Sequence, residues 1–109
     1  MVHQPYFLNG VVKVETSIDP EDLLVAIKTI ERKLGRRSRT RYGPRIIDID
    51  LILYGKKHIQ TSWLHIPHKR MHERLFVLKP LLEIAPHSIH PVFKKRVKTL
   101  MDNLRMDIQ

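Results

Sequence analysis

Asp48 and Asp50 stand two positions apart in the otherwise apolar run Ile46-Ile47-Asp48-Ile49-Asp50-Leu51-Ile52-Leu53-Tyr54. The run is short, rich in β-branched residues and bounded by glycines, which predicts a buried strand rather than a helix. Alternation puts Ile46, Asp48, Asp50 and Ile52 on one face and Ile47, Ile49, Leu51 and Leu53 on the other. Two residues of rise separate the aspartate stems by about 6.6 Å, close enough for their carboxylates to share cations. Ionised carboxylates in an apolar strand need counter-charges or metal. Just upstream lie Arg36, Arg37, Arg39, Arg41 and Arg45, five arginines within ten residues. The planar guanidinium suits bidentate recognition of phosphate. Taken alone, the cluster reads equally as a solvated charge run or an RNA-binding patch. Its place beside two carboxylates favours polyphosphate with Mg²⁺, since Mg²⁺ bridges phosphate to carboxylate while arginine neutralises the remaining oxygens.

The elements that position these groups follow from pattern. Residues 7–16 alternate, with Leu8, Gly10, Val12 and Val14 on one face and Phe7, Asn9, Val11, Lys13 and Glu15 on the other, which predicts a second strand. Edge packing and a turn amide are the ordinary roles for Phe7 and Asn9. A helix is marked by Asp19 as cap, Pro20 at the first helical position and acidic Glu21 and Asp22 in the first turn. Its apolar stripe is Leu23, Leu24, Ile27, Ile30 and Leu34, and Gly35 is expected to stop it. Glu31 falls near the disfavoured C-terminal end, where a salt bridge to the basic run is the ordinary reading and contact with a ligand the sharper one. Positions 36–41 contain no apolar residue and predict a mobile loop.

Beyond Gly55, Lys56-Lys57 predicts a turn, and His58-Ile59 and Leu64-His65-Ile66 short strands, the second stopped by Pro67. His65, His68 and His72 suggest zinc, but no acidic residue completes a ligand set and Lys69 and Arg70 repel a cation. His68 fits better as a phosphate donor or a turn residue. Residues 75–84 predict a core helix bent or restarted at Pro80 and ended before Pro86. Val97, Leu100, Met101 and Leu104 mark a terminal packing helix.

The totals limit the class of protein. A chain of 109 residues allows one domain at most, with a modest core. Twenty Lys and Arg against eleven Asp and Glu give a net charge of +9, which attracts polyanions. The absence of cysteine excludes a disulfide scaffold and thiolate metal sites. No stretch is long and apolar enough to span a bilayer, and a cytoplasmic protein is expected.

From Arg41 to Leu53 the sequence resembles the 6-hydroxymethyl-7,8-dihydropterin pyrophosphokinases of folate biosynthesis. The family signature is Gly-Pro-Arg, two residues, then Asp-x-Asp and apolar residues. It is matched by Gly43-Pro44-Arg45-Ile46-Ile47-Asp48-Ile49-Asp50-Leu51-Ile52. Phe7-Leu8-Asn9, Ile30-Glu31 with Gly35-Arg36, Pro67-His68, Arg74-Leu75-Phe76 and Pro80-Leu81-Leu82-Glu83-Ile84-Ala85-Pro86 resemble further family segments in the right order. The likeness extends over residues 4–104, and such a spread is far more specific than one motif.

What the resemblance implies is transfer of pyrophosphate from ATP to the hydroxymethyl oxygen of the pterin. Asp48 and Asp50 would hold two Mg²⁺ ions, a spacing that suits a two-metal site. Arg45 and Arg41 would neutralise phosphate oxygens, with Arg39 and Arg36 as further candidates. His68 and Arg74 would contact the nucleotide phosphates, and Glu31 and Tyr42 fall on the nucleotide side. Phe76 and Phe7 would sandwich the pterin, with Asn9 on its polar edge. The expected partners are ATP and 6-hydroxymethyl-7,8-dihydropterin, with neither nucleic acid nor membrane. Several positions depart from the family pattern. Tyr42 stands where Trp is frequent, Phe7 where Tyr is common, Lys28 replaces a glutamine, Lys69 replaces an aromatic, and the arginine loop is about one residue short.

The fold implied is α+β and ferredoxin-like, a single partial domain over residues 1–109 with two long strands, a packing helix and short C-terminal elements. The family's usual opening strand, helix and strand has no counterpart here, so an N-terminal truncation is expected. Its first strand would lie centrally between residues 7–16 and 46–54. Without it their inner edges are unpaired, which invites oligomers through intermolecular pairing and puts catalysis by the chain alone in question. The competing readings are a basic nucleic-acid-binding module and an inactive remnant of the enzyme.

Overall fold

A computed structural model of the chain describes residues 9–38 and 48–108. The backbone divides into two units, Glu15–His68 and a second that joins Met1–Val14 to Lys69–Gln109.

The first unit opens with α1, Pro20–Ser38. The Asp19 carbonyl accepts the Leu23 amide at 2.8 Å, which makes Asp19 the cap residue as expected. Glu21 and Asp22 fill the acidic first turn, and Ile27 is buried. Gly35, however, does not end the helix, which continues for three more residues. Gly35 has no positive φ, so the left-handed stop is not used. Arginine is a good helix former, and two of them follow the glycine as the helix continues.

After residues 48–54 the chain reverses at Tyr54–Lys57, where the Lys57 amide donates to the Tyr54 carbonyl at 3.0 Å. Gly55 has φ +55°, a conformation in which a side chain is strained. The Tyr54 hydroxyl donates to the Ile18 carbonyl, tying this turn to the entry of α1. The short strands β1 (Ile59–Gln60) and β2 (His65–Ile66) then pair antiparallel, Ile59 opposite Ile66 and Gln60 opposite His65. Thr61 closes their loop, its amide donating to the Leu64 carbonyl at 2.9 Å and its Oγ1 accepting the Leu64 amide at 3.0 Å. Leu64 and Ile66 are buried.

The second unit is helical in its C-terminal part. A 3-10 helix, Met71–Glu73, leads into α2, Leu75–Ile84, and the chain closes on α3, Val97–Ile108. α2 packs on α3, and both pack on the 3-10 helix. Met71, Val77, Leu78, Leu81, Val97, Leu100 and Met101 form the buried set. The Arg74 carbonyl starts α2 by accepting the amides of Val77 and Leu78, both at 3.0 Å. Pro80 lies inside α2, which runs through it despite the lost N–H and ends at the predicted residue.

The α+β composition is as expected: the described residues form three α-helices and a small antiparallel sheet. The two long strands need correction. Residues 9–16 and 48–54, the described parts of the predicted strands, pair with no strand among the described residues. Alternation shows that a segment suits a half-buried sheet, but a strand exists only when a neighbour supplies its ladder, and β1 and β2 bond to each other. Val12 and Val14, expected on the buried face, are 84% and 66% exposed. No helix among the described residues is long and apolar enough to cross a membrane.

Candidate functional site

Asp48 and Asp50 both lie at the surface, with Ile49 half-buried between them. What fixes this segment is a backbone bond two residues further on. The His68 amide donates to the Ile52 carbonyl at 2.8 Å, which sets residues 50–52 beside the Pro67-His68 corner. The His68 side chain accordingly reaches Asp50, Nε2 lying 3.9 Å from Oδ2. The short sheet explains why the corner sits there: β2 ends at buried Ile66, and buried Pro67 turns the chain so that His68 follows on the aspartate side. Pattern reasoning placed His68 at a phosphate or in a turn, and the structure brings it together with Asp50.

Glu31 lies on α1, with its side chain only 10% exposed. Lys28, one turn earlier, brings Nζ to 2.9 Å from Oε1. That oxygen is buried and makes no aligned hydrogen bond among the described residues, so the pair rests on charge and proximity. The sequence suggested a partner in the following basic run. The partner seen is Lys28, which helical spacing alone would have found, because residues three apart share a face.

In the second unit Arg74 and Phe76 come together at the start of α2, the guanidinium carbon lying 5.6 Å from the ring centroid. That distance is within the range of a cation–π contact. Phe76 is largely exposed although its helix is apolar, and so its ring is available to a planar ligand. Asn9 is also exposed. Phe7, Arg39, Arg41, Tyr42 and Arg45 lie outside the described residues, and only the backbone of Arg36 is described, within α1.

The donors present suit a hard cation. Two carboxylates from one segment, both facing solvent, leave room for phosphate and water oxygens, which is how Mg²⁺ is usually held. Among the described residues no three His, Asp or Glu side chains gather as an all-protein metal cage would require. Sequence reasoning overlooked His90, a buried histidine in the connection between α2 and α3. Its only signal is the His90-Pro91 dipeptide, a turn marker.

Known proteins resemble this chain over most of its length. The family model described as 7,8-dihydro-6-hydroxymethylpterin-pyrophosphokinase matches residues 1–86. A 2-amino-4-hydroxy-6-hydroxymethyldihydropteridine pyrophosphokinase of Aquifex aeolicus is 46% identical over 88% of this chain and 60% of its own length. The Bacillus subtilis protein of the same name is 48% identical over 75% of this chain and 49% of its own. A mitochondrial folate synthesis bifunctional protein of Arabidopsis thaliana is 49% identical over 79% of this chain and 16% of its own. The chain thus spans about half to 60% of the single-function relatives. It belongs to the 7,8-dihydro-6-hydroxymethylpterin-pyrophosphokinase family.

Proposed function

We propose that this chain supplies the nucleotide-holding and metal-holding part of a pyrophosphoryl transfer from ATP to 6-hydroxymethyl-7,8-dihydropterin. In that reaction the hydroxymethyl oxygen attacks the β-phosphorus, the bond between the α-phosphate's bridging oxygen and the β-phosphorus breaks, and AMP leaves. The observation that carries the reading is the Asp48–Asp50 segment, exposed and pinned by the His68–Ile52 backbone bond so that His68 stands beside Asp50. Two exposed carboxylates on one held segment can reach a cation that also carries phosphate and water oxygens.

Asp48 and Asp50 would hold two Mg²⁺ ions against the triphosphate. Bound there, the ions supply charge neutralisation and alignment of the phosphoryl group. His68 and Arg74 would donate to phosphate oxygens, joined by Arg45, Arg41, Arg39 and Arg36, with Glu31 and Tyr42 on the nucleotide. Phe76 and Phe7 would stack on the pterin, and Asn9 would bond its edge. No covalent nucleophile is required, because positioning and electrostatics carry phosphoryl transfer. A single domain and a cytoplasmic location belong to the same proposal; cell fractionation tests the latter.

The test is to incubate the chain with MgATP and the pterin and to separate the nucleotides formed. AMP and pyrophosphorylated pterin in equal amounts are expected, and ADP in place of AMP would overturn pyrophosphoryl transfer. Where the chain alone gives no product, calorimetry decides the nucleotide half. MgATP should bind the wild type and fail to bind the Asp48→Asn, Asp50→Asn double variant; equal affinities would refute the assignment. A polyanion-binding module would instead bind RNA with strong salt dependence and no need of either aspartate.

A further inference from the structure

The connection between α2 and α3 is built on one imidazole. His90 is 3% exposed, and its Nδ1 accepts two backbone amides, from Val92 at 3.2 Å and Phe93 at 3.0 Å. Its own amide donates to the Lys95 carbonyl, and its own carbonyl accepts the Lys94 amide, both at 2.8 Å. Lys94 is held at φ 58°, the left-handed conformation the turn demands. Below the turn Ile89 bridges Arg96, and the Val97 amide donates to the Ser88 carbonyl at 3.1 Å, so the same turn delivers Val97 as the first residue of α3. The His90 ring stacks on Phe93 with centroids 4.2 Å apart, and His72 of the 3-10 helix meets Phe93 edge-on at 4.8 Å.

An acceptor at Nδ1 fixes His90 as the neutral tautomer protonated at Nε2. The imidazolium carries hydrogens on both nitrogens and has no lone pair for the Val92 and Phe93 amides. We propose that His90 is an acid-sensitive latch, closed only while neutral, that keeps the start of α3 docked on α2 and the 3-10 helix. The sign follows from linkage. The unfolded connection takes up a proton near the ordinary histidine value of about 6.5, and the closed turn resists it. Stability from the latch is therefore full above that value and falls as pH drops through it, by up to about tenfold in the opening equilibrium per pH unit. The charged and titratable groups on the surrounding elements are His72, with Glu73 3.7 Å from its Nε2, His87, Lys94, Lys95 and Arg96 on the connection, Lys79 and Glu83 in α2, and Arg105 and Lys98, which pairs with Asp102, in α3. Opening would also loosen α2, whose first turn presents Arg74 and Phe76.

The test is amide hydrogen exchange of the full chain by NMR from pH 7.5 to 5, expressed as protection factors, with the histidine ring signals followed in parallel. The expected result is a neutral, Nε2-protonated His90 at pH 7.5, and a joint loss of protection at Val92, Phe93 and Val97–Met101 of about tenfold per pH unit below 6.5. His90→Asn, whose side-chain oxygen accepts amides without titrating, should remove that acid step, whereas His72→Gln should leave it in place. Protonation of His90 with α3 protection unchanged would overturn the proposal. So would an acid step that survives in His90→Asn. If His90→Asn does not fold, the wild-type titration and His72→Gln decide.

Discussion

Replacing Asp50 with Asn separates the two roles that its position allows. As a structural residue, Asp50 has His68 as a charged neighbour at 3.9 Å, with the two side chains 46% and 21% exposed. Two unit charges at that distance attract by about 4 kcal/mol at an effective dielectric of about 20. Partial exposure and side-chain entropy reduce the net value to about 0–1 kcal/mol, and only the protonated fraction of His68 contributes. Asp50→Asn keeps the shape, so the metal-free chain should lose no more than about 1 kcal/mol. In urea that is a midpoint shift below about 1 M, with an unchanged slope. As a metal ligand, Asp50 should matter far more. Disturbing even the partners of metal ligands costs about 10–100-fold in affinity, so removing a ligand charge should weaken MgATP binding by at least that much. The assay pairs urea unfolding without Mg²⁺ with calorimetry of MgATP and of ATP in excess chelator. The expected outcome is near-native stability, a large loss with MgATP and little change with metal-free ATP. The reverse pattern, a collapse in stability with MgATP affinity intact, would refute the reasoning.

Other outcomes follow from the same residues. Leu78 is fully buried, so Leu78→Ala should cost about 2–5 kcal/mol, while Ile84→Ala, on the same helix and 40% exposed, should cost much less; equal shifts in thermal melting would contradict the packing described for α2. A Cβ added at Gly35 meets nothing within 4 Å, and Gly35→Ala should therefore stabilise α1 by about 0.5–1 kcal/mol, read as a raised Tm. Phe76→Ala should weaken pterin binding, whereas Arg74→Ala should weaken nucleotide binding more than pterin binding; calorimetry with each ligand checks this, and equal losses for both ligands in both variants would sink the division of labour.

How much was legible in the sequence differs by element for physical reasons. The helices at Pro20, Leu75 and Val97 were marked locally, by a cap and a proline in α1, by apolar density in α2 and by 3.6-residue spacing in α3, and each starts where those marks stand. The end of α1 was misjudged because glycine permits a left-handed stop without compelling one, and the arginines beyond it favour the helix. The strands over 7–16 and 46–54 were read from alternation, which reports the surroundings a segment suits and not the neighbour it finds. His68 beside Asp50 was only partly legible: the residue types were plain, but the pairing depends on a bond to Ile52 across 16 positions of chain. His90 was missed because a buried histidine that folds its own turn leaves no periodic trace. The Lys28–Glu31 pair was readable and was overlooked in favour of the louder basic run.

Without a ladder to residues 48–54 among the described residues, other bonds hold the aspartates in place. Carboxylates on a central strand are positioned by bonds along both edges, and one missing bond matters little. Here the bonds that tie this segment to other elements include the His68 amide to Ile52, the Tyr54 hydroxyl to Ile18, and the turn at Gly55. Each ties residues 48–54 to a different element, respectively the corner after β2, the entry of α1 and the approach to β1. The geometry of the segment proposed to hold metal thus rests on anchors of this kind, and not on a sheet among the described residues. Variants at Tyr54 and Gly55, which touch no proposed ligand, should then alter MgATP affinity through position alone. Tyr54→Phe is the cleanest case, because it removes the bond to Ile18 and keeps the ring. A several-fold loss in MgATP affinity is expected, with metal-free ATP binding unchanged. Full retention of MgATP affinity in Tyr54→Phe would show that the remaining anchors suffice.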